Sequence, residues 1–152
     1  ISSGLVGSEM CIRDRNSYLF MKAFEFRYIE DLMIVTITVA GPNSEADFTV
    51  ALDTACTKTI IQPDFLAALG YRQSEYKKNR MSVTTGTKTE NAYYQQVKAL
   101  SFLGHEVPDI TVVSKQLPMS LYFLEGLLGV DFFKTIGKEL RIDFGNQKIS
   151  LH

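Results

Sequence analysis

Apolar and polar positions alternate with a period of two through much of this chain, the pattern of strands with one face buried. Lys22 to Tyr28 alternates through Ala23, Phe24, Glu25, Phe26 and Arg27, and Leu32 to Val39 is a β-branched run that stops at the turn cluster Gly41-Pro42-Asn43-Ser44. Ala46 to Leu52 returns as a second strand, so these two runs predict a hairpin, and Thr59 to Ile61 reads as a further short strand. Pro63 to Gly70 departs from that period. Proline near its start, good helix formers within and glycine at its end predict one short helix. Tyr71 to Arg80 is polar and basic and reads as a solvated connection. Met81 to Tyr93 has strand-turn-strand character around Gly86, and Gln96 to Leu103 with Val107 to Val113 predicts a hairpin turning at Gly104-His105-Glu106. Leu117 to Glu125 is an apolar crossing, and Phe132 to Gly137 reads as a single helical turn with a glycine stop.

One carboxylate interrupts this pattern where it costs most. Asp53 follows the apolar run Thr49 to Leu52 and precedes the small polar residues of a tight loop, Thr54-Ala55-Cys56-Thr57, before the next apolar strand. A carboxylate at a strand's end beside a core is expensive unless it is paired, hydrogen-bonded or chemically employed.

Composition narrows the classes that such a residue could serve. A length of 152 residues suits one domain with a real core, and 45% hydrophobic with 22% charged residues is the balance of an ordinary globular protein. The net charge of −1, with no Lys/Arg stripe, argues against a nucleic-acid partner. No stretch approaches the roughly 20 apolar residues of a membrane helix. Cys11 and Cys56 are too few for a disulfide framework, so a reduced, cytoplasmic setting is expected. No metal site is expected either, because His105 and His152 stand at no metal-ligand spacing. Residues 1–20 read unlike the rest: they lack the continuous apolar middle of a secretory signal and resemble translated adapter sequence. The expected domain is 21–152, starting at Met21.

The loop Ala51-Leu52-Asp53-Thr54-Ala55-Cys56-Thr57 resembles the active-site loop of retropepsin-like aspartic proteases, in which Asp-Thr/Ser-Gly is usual, so Ala55 and Cys56 are departures. Gly126-Leu127-Leu128-Gly129-Val130-Asp131-Phe132-Phe133 is similar to the apolar-apolar-Gly-x-Asp segment of that family, and Leu140 to Leu151 resembles its closing hairpin. The resemblance implies an all-β, closed barrel with one or two short helices, a single lobe that pairs as a homodimer. Only one Asp-Thr-small loop is present, so a catalytic pair needs Asp53 from two copies. It implies aspartic-type hydrolysis of a peptide or protein substrate without a cofactor or metal, the alternative being a catalytically silent dimer that binds peptide.

Residue by residue, the resemblance makes Asp53 the catalytic acid and base and Thr54 a scaffold hydroxyl reaching the opposite loop. Ala55 stands where a glycine N–H lies near the carboxylate. It makes Thr85, Gly86 and Thr87 a flap over bound peptide, and Gly129 and Asp131 structural, Asp131 bonding nearby backbone N–H groups. Cys56 has two readings, a small buried hydrophobe or a thiol donating weakly to Asp53. A nucleophilic cysteine would need a histidine partner, and neither histidine is suitably placed. Asp143-Phe144-Gly145 reads as a turn between two terminal strands.

Overall fold

A computed structural model describes residues 23–72, 80–85 and 88–152. The adapter-like leader, Met21, Gly86 and Thr87 lie outside the described residues. Two short strands, β1 (Phe24–Glu25) and β2 (Arg27–Ile29), lead through the positive-φ pair Glu30-Asp31 into β3 (Leu32–Ala40) and β4 (Glu45–Leu52). The β3–β4 register sets Val35 opposite Val50, Ile37 opposite Phe48 and Ile34 opposite Ala51. Period-two alternation then divides these residues between two apolar clusters. Val35, Ile37, Val39, Phe48 and Val50 enter the main core, whereas Ile34 and Ala51 enter a smaller cluster with Leu117 and Leu124. The sheet is therefore covered on both faces near the end of β4, where Asp53 follows.

After β5 (Ile60–Ile61), Pro63 opens α1 (Pro63–Ala68), which buries Leu66 and ends at Gly70 with φ +100°. The hairpin of β6 (Arg80–Thr85) and β7 (Lys88–Gln96) follows, then β8 (Ala99–Phe102), β9 (His105–Pro108) and β10 (Thr111–Ser114). A 3-10 turn (Met119–Leu121), β11 (Gly126–Leu128), α2 (Val130–Ile136), β12 (Leu140–Asp143) and β13 (Lys148–Leu151) complete the chain. The large sheet runs β6-β7-β10-β5-β11-β4-β3-β8-β9, with β2 also on β3, and a small sheet runs β1-β13-β12. The result is a mostly β lobe with two short helices and a curled sheet. Closure of that sheet into a barrel is not among the pairings of the described residues.

Four local expectations are corrected. The β8–β9 hairpin turns at Leu103-Gly104, with φ 51° and 80°, so His105 lies in β9 opposite Phe102. Two positive φ values are what a two-residue turn matched to strand twist requires. Asp109, at φ 52°, then divides the expected strand Val107 to Val113 into β9, which pairs with β8, and β10, which pairs with β7 and β5. Tyr71 is no part of a solvated connection. It is buried, and its hydroxyl donates to the Ala40 carbonyl at 3.1 Å while accepting the Lys98 N–H at 2.9 Å. The helical turn expected from Phe132 begins two residues earlier, at Val130, and ends as expected at Gly137 in the left-handed conformation. Phe132, fully buried, meets Phe102 and Phe133 edge to face, which anchors α2 on the main core.

Candidate active site

Strand β11 lies between β4 and β5, parallel to the first and antiparallel to the second. The loop 53–59 that joins those two strands therefore arches over the end of β11. Small residues make the insertion sterically feasible. A Cβ on Gly126 would stand 2.2 Å from the Ile60 carbonyl oxygen, and one on Gly129 would stand 2.6 Å from the Lys58 carbonyl carbon. Both contacts are with backbone, which cannot swing aside.

Hydrogen bonds fix the loop at both ends. The Asp53 N–H donates to Leu128 O at 3.0 Å and continues the β4–β11 ladder; the Cys56 N–H donates back to Asp53 O at 3.1 Å, closing a turn. The Val130 N–H donates to Cys56 O at 2.9 Å. At the far end, Thr59 is fully buried, and both its N–H (2.9 Å) and its hydroxyl (2.8 Å) donate to Asp131 Oδ1. The Thr59 hydroxyl in turn accepts the Gly129 N–H at 3.2 Å. Asp131 is thus a buried anchor beneath the loop, with Oδ1 occupied by Thr59. Its Oδ2 and the Ser114 hydroxyl are buried with no protein partner among the described residues.

Asp53 itself is half-buried, with one side of its carboxylate held: Oδ1 accepts the Ala55 N–H at 2.9 Å. This N–H belongs to the alanine that stands in place of glycine. Ala55 is exposed and is not among the residues with positive φ, so its methyl points into open space without the strain a left-handed residue would carry. Thr54 is exposed at the crest of the turn. The Cys56 thiol donates to Lys58 O at 2.9 Å, turned from the Asp53 carboxylate toward the loop's own backbone. Burial pushes its pKa up; the charges of Asp53 and Asp131 add to this, while the Lys58 backbone and the Lys115 charge oppose it.

The sequence-derived site residues fall into two groups. Asp53, Thr54, Ala55 and Cys56 share the loop, with Gly129 and Asp131 directly beneath it. Thr85 lies apart from these in sequence, the last residue of the β6–β7 ladder, opposite Lys88; Gly86 and Thr87, between them in sequence, lie outside the described residues. Among the described residues no three His, Cys, Asp or Glu side chains come together to hold a metal ion, and no helix is long and apolar enough to cross a membrane.

Sequence reasoning missed two supports. Thr59 was read only as the start of a strand, although a hydroxyl opening an apolar run has few other ways to be satisfied. Gln62 gave no signal, because its burial depends on residues more than fifty positions away. Only 5% exposed, it donates through Nε2 to Leu124 O at 2.6 Å.

Comparison with known proteins agrees with this geometry. Residues 37–135 match the family described as gag-polyprotein putative aspartyl protease, a span that includes the loop, β11 and nearly all of α2. Among solved structures, a retropepsin-like aspartic protease from Rickettsia conorii aligns with a TM-score of 0.65 over 86% of this chain and 90% of its own, at 16% identity. No curated protein matches. Its fold being that of the retropepsin-like proteases, this chain belongs to the gag-polyprotein aspartyl protease family.

Proposed function

We propose that the chain is an aspartic endopeptidase that works as a homodimer, Asp53 of one copy and Asp53 of a second forming the catalytic pair. The observation that carries this reading is the Asp53 loop: a half-exposed carboxylate oriented by the Ala55 N–H on a loop held at both ends. Such pre-orientation is what general acid–base chemistry needs. Asp131 is buried beneath the loop with its Oδ1 held by Thr59, which supports drawing the second acid of the pair from another copy.

In the pair, the ionised Asp53 takes a proton from water as its oxygen attacks the scissile carbonyl carbon. The protonated Asp53 gives its proton to the carbonyl oxygen. Collapse of the tetrahedral species breaks the C–N bond: the first Asp53 passes the proton it took from water to the leaving nitrogen, and a hydroxyl of the species returns its proton to the second as the carboxylic acid forms. Two adjacent carboxylates cannot both ionise cheaply, so they titrate as a unit. The exposed Thr54 hydroxyl is available to bond the second loop. Peptide binds in extended form by strand addition, with Thr85, Gly86 and Thr87 as the lid, and the curled sheet of each lobe completes its barrel around that cleft.

The test compares the wild type with Asp53→Asn for cleavage of a diverse peptide library from acidic to neutral pH, with oligomeric state measured alongside. Cleavage that falls to background in a variant that remains dimeric is the expected result. A folded wild-type dimer that binds peptides but cuts none would replace this reading with a silent peptide-binding dimer. A wild type that remains monomeric at all concentrations would sink both.

A further inference from the structure

We propose that Gln62 is a positioning residue for this reaction: it pins residues 116–125 beside Asp53 as an apolar wall, and so governs which peptide side chains the cleft accepts. The proposal rests on the aspartic-protease reading above.

The segment from 116 to 125 is the apolar crossing between β10 and β11, and it has little regular structure of its own beyond the 3-10 turn. Its two ends converge on one side chain. Gln62 Nε2 donates to Leu124 O at 2.6 Å, while Oε1 accepts the Leu117 N–H at 3.3 Å and a bond from Gln116 Nε2. The Gln62 N–H donates to Glu125 O at 3.0 Å. A primary amide carries two donors and a carbonyl acceptor, and no apolar side chain of the same size could hold both ends. Gln62 is itself fixed, buried at the cap of α1 and next to Ile61 in the main core.

What the segment presents is apolar. Leu121 and Phe123 pack, with Ile60 and Leu127, against the smaller cluster of Ile34, Ala51, Leu117 and Leu124. Ala51 precedes Asp53 by two residues in extended chain, and the Asp53 N–H bond to Leu128 O continues the ladder through that point. Alternation therefore directs the side chains of Ala51 and Asp53 to the same face, with Leu52 on the main-core face. The apolar cluster thus reaches Asp53 along one side of the sheet. Beyond it, Met119 is 86% exposed and Tyr122 77% exposed, large apolar groups held in water on the same crossing. A wall held in this way, Leu117 and Leu124 by the Gln62 side chain and Glu125 also by its bonds with Thr49, is a natural determinant of selectivity, because moving it changes pocket shape without touching the carboxylate.

The experiment uses the full chain with Gln62→Met, which keeps length and loses every side-chain bond, and Gln62→Glu, which keeps an acceptor for the Leu117 N–H and loses the donor to Leu124 O. Two quantities are read: hydrogen exchange of amides 116–125 relative to those of β3 and β4, and KM and kcat across peptides that vary beside the scissile bond. For Gln62→Met, exchange in 116–125 rises by roughly tenfold or more with β3 and β4 unchanged. KM for the preferred peptides rises by about tenfold with kcat held within about twofold, and discrimination between large apolar and small side chains flattens. Gln62→Glu lies between wild type and Gln62→Met. If Gln62→Met loosens the whole domain, Gln62→Glu decides by the same readouts. Unchanged exchange in 116–125, or a loss of kcat with peptide preference intact, overturns the proposal. Failure of the two readings is separable: a wild type that cuts nothing while exchange responds as expected sinks the catalytic reading, and a wild type that cuts with a preference unmoved in both variants sinks the role of Gln62.

Discussion

Cys56 lies three residues from the carboxylate that the proposed chemistry depends on, and its environment makes it a poor nucleophile. Burial comes first among the causes that raise its pKa, and the carboxylates of Asp53 and Asp131 add to it. With the folded pKa above the unfolded one, the thiol is protonated in both states below the unfolded value and its contribution to stability is fully present there. As pH rises toward the folded value the unfolded chain ionises first, and that contribution is lost. The expected outcome is slow alkylation of Cys56 by iodoacetamide at neutral pH in the native protein, with a pH midpoint above that of the same thiol in urea, each read by peptide mapping so that Cys11 is counted separately. Equal midpoints in the two states would contradict the burial argument. At this scale the sequence was informative about Asp53 and its loop, since an acid between apolar runs is conspicuous. It left two readings of Cys56, a small buried hydrophobe or a thiol donating to Asp53, and the half-buried thiol that donates to the Lys58 carbonyl is neither. Thr59 and Gln62 were opaque for a common reason: their partners lie 72 and 62 residues away.

Strand β11 depends on two absent side chains, and they do not matter equally elsewhere in the chain. At Gly126 an added methyl meets the Ile60 carbonyl at 2.2 Å, so Gly126→Ala must force β5 and β11 apart; a loss of about 3 kcal/mol or more is expected in urea unfolding, at or above the usual cost of overpacking. Gly104→Ala is the control. Nothing lies within 4 Å of the added Cβ there, and only the φ of +80° is unfavourable, so the cost should be about 1 kcal/mol. Comparable losses at the two positions would mean that β11 is less tightly inserted than described. Element by element, the β3–β4 hairpin and α1 were legible because their signals are local: alternation, a turn cluster, a proline and a glycine. The 103–104 turn was misplaced by a residue or two because leucine is an unexpected occupant of a positive-φ position. No periodicity could have shown that β11 pairs in parallel with β4, since that register joins segments far apart in the chain.

For the whole molecule, one lobe supplies one Asp53, and the small sheet β1-β13-β12 is built from residues that lie outside the span 37–135 matched to the family. If the pair of Asp53 carboxylates forms between copies, specific activity per chain must fall on dilution below the dimer dissociation constant and recover on concentration, by mass action. Activity independent of concentration down to a monodisperse monomer would rule out a shared pair.

The placement of β11 also bears on the order in which the protein is made. Asp53 and its loop leave the ribosome long before the segment they close upon, since Thr59 awaits an anchor 72 residues downstream and β4 awaits β11. Contacts at such separation form late, after the entropic cost of closing the intervening chain has been met. A nascent chain therefore carries Asp53 on an unbraced loop, and that loop gains its anchor only once the chain through Asp131 has emerged and folded.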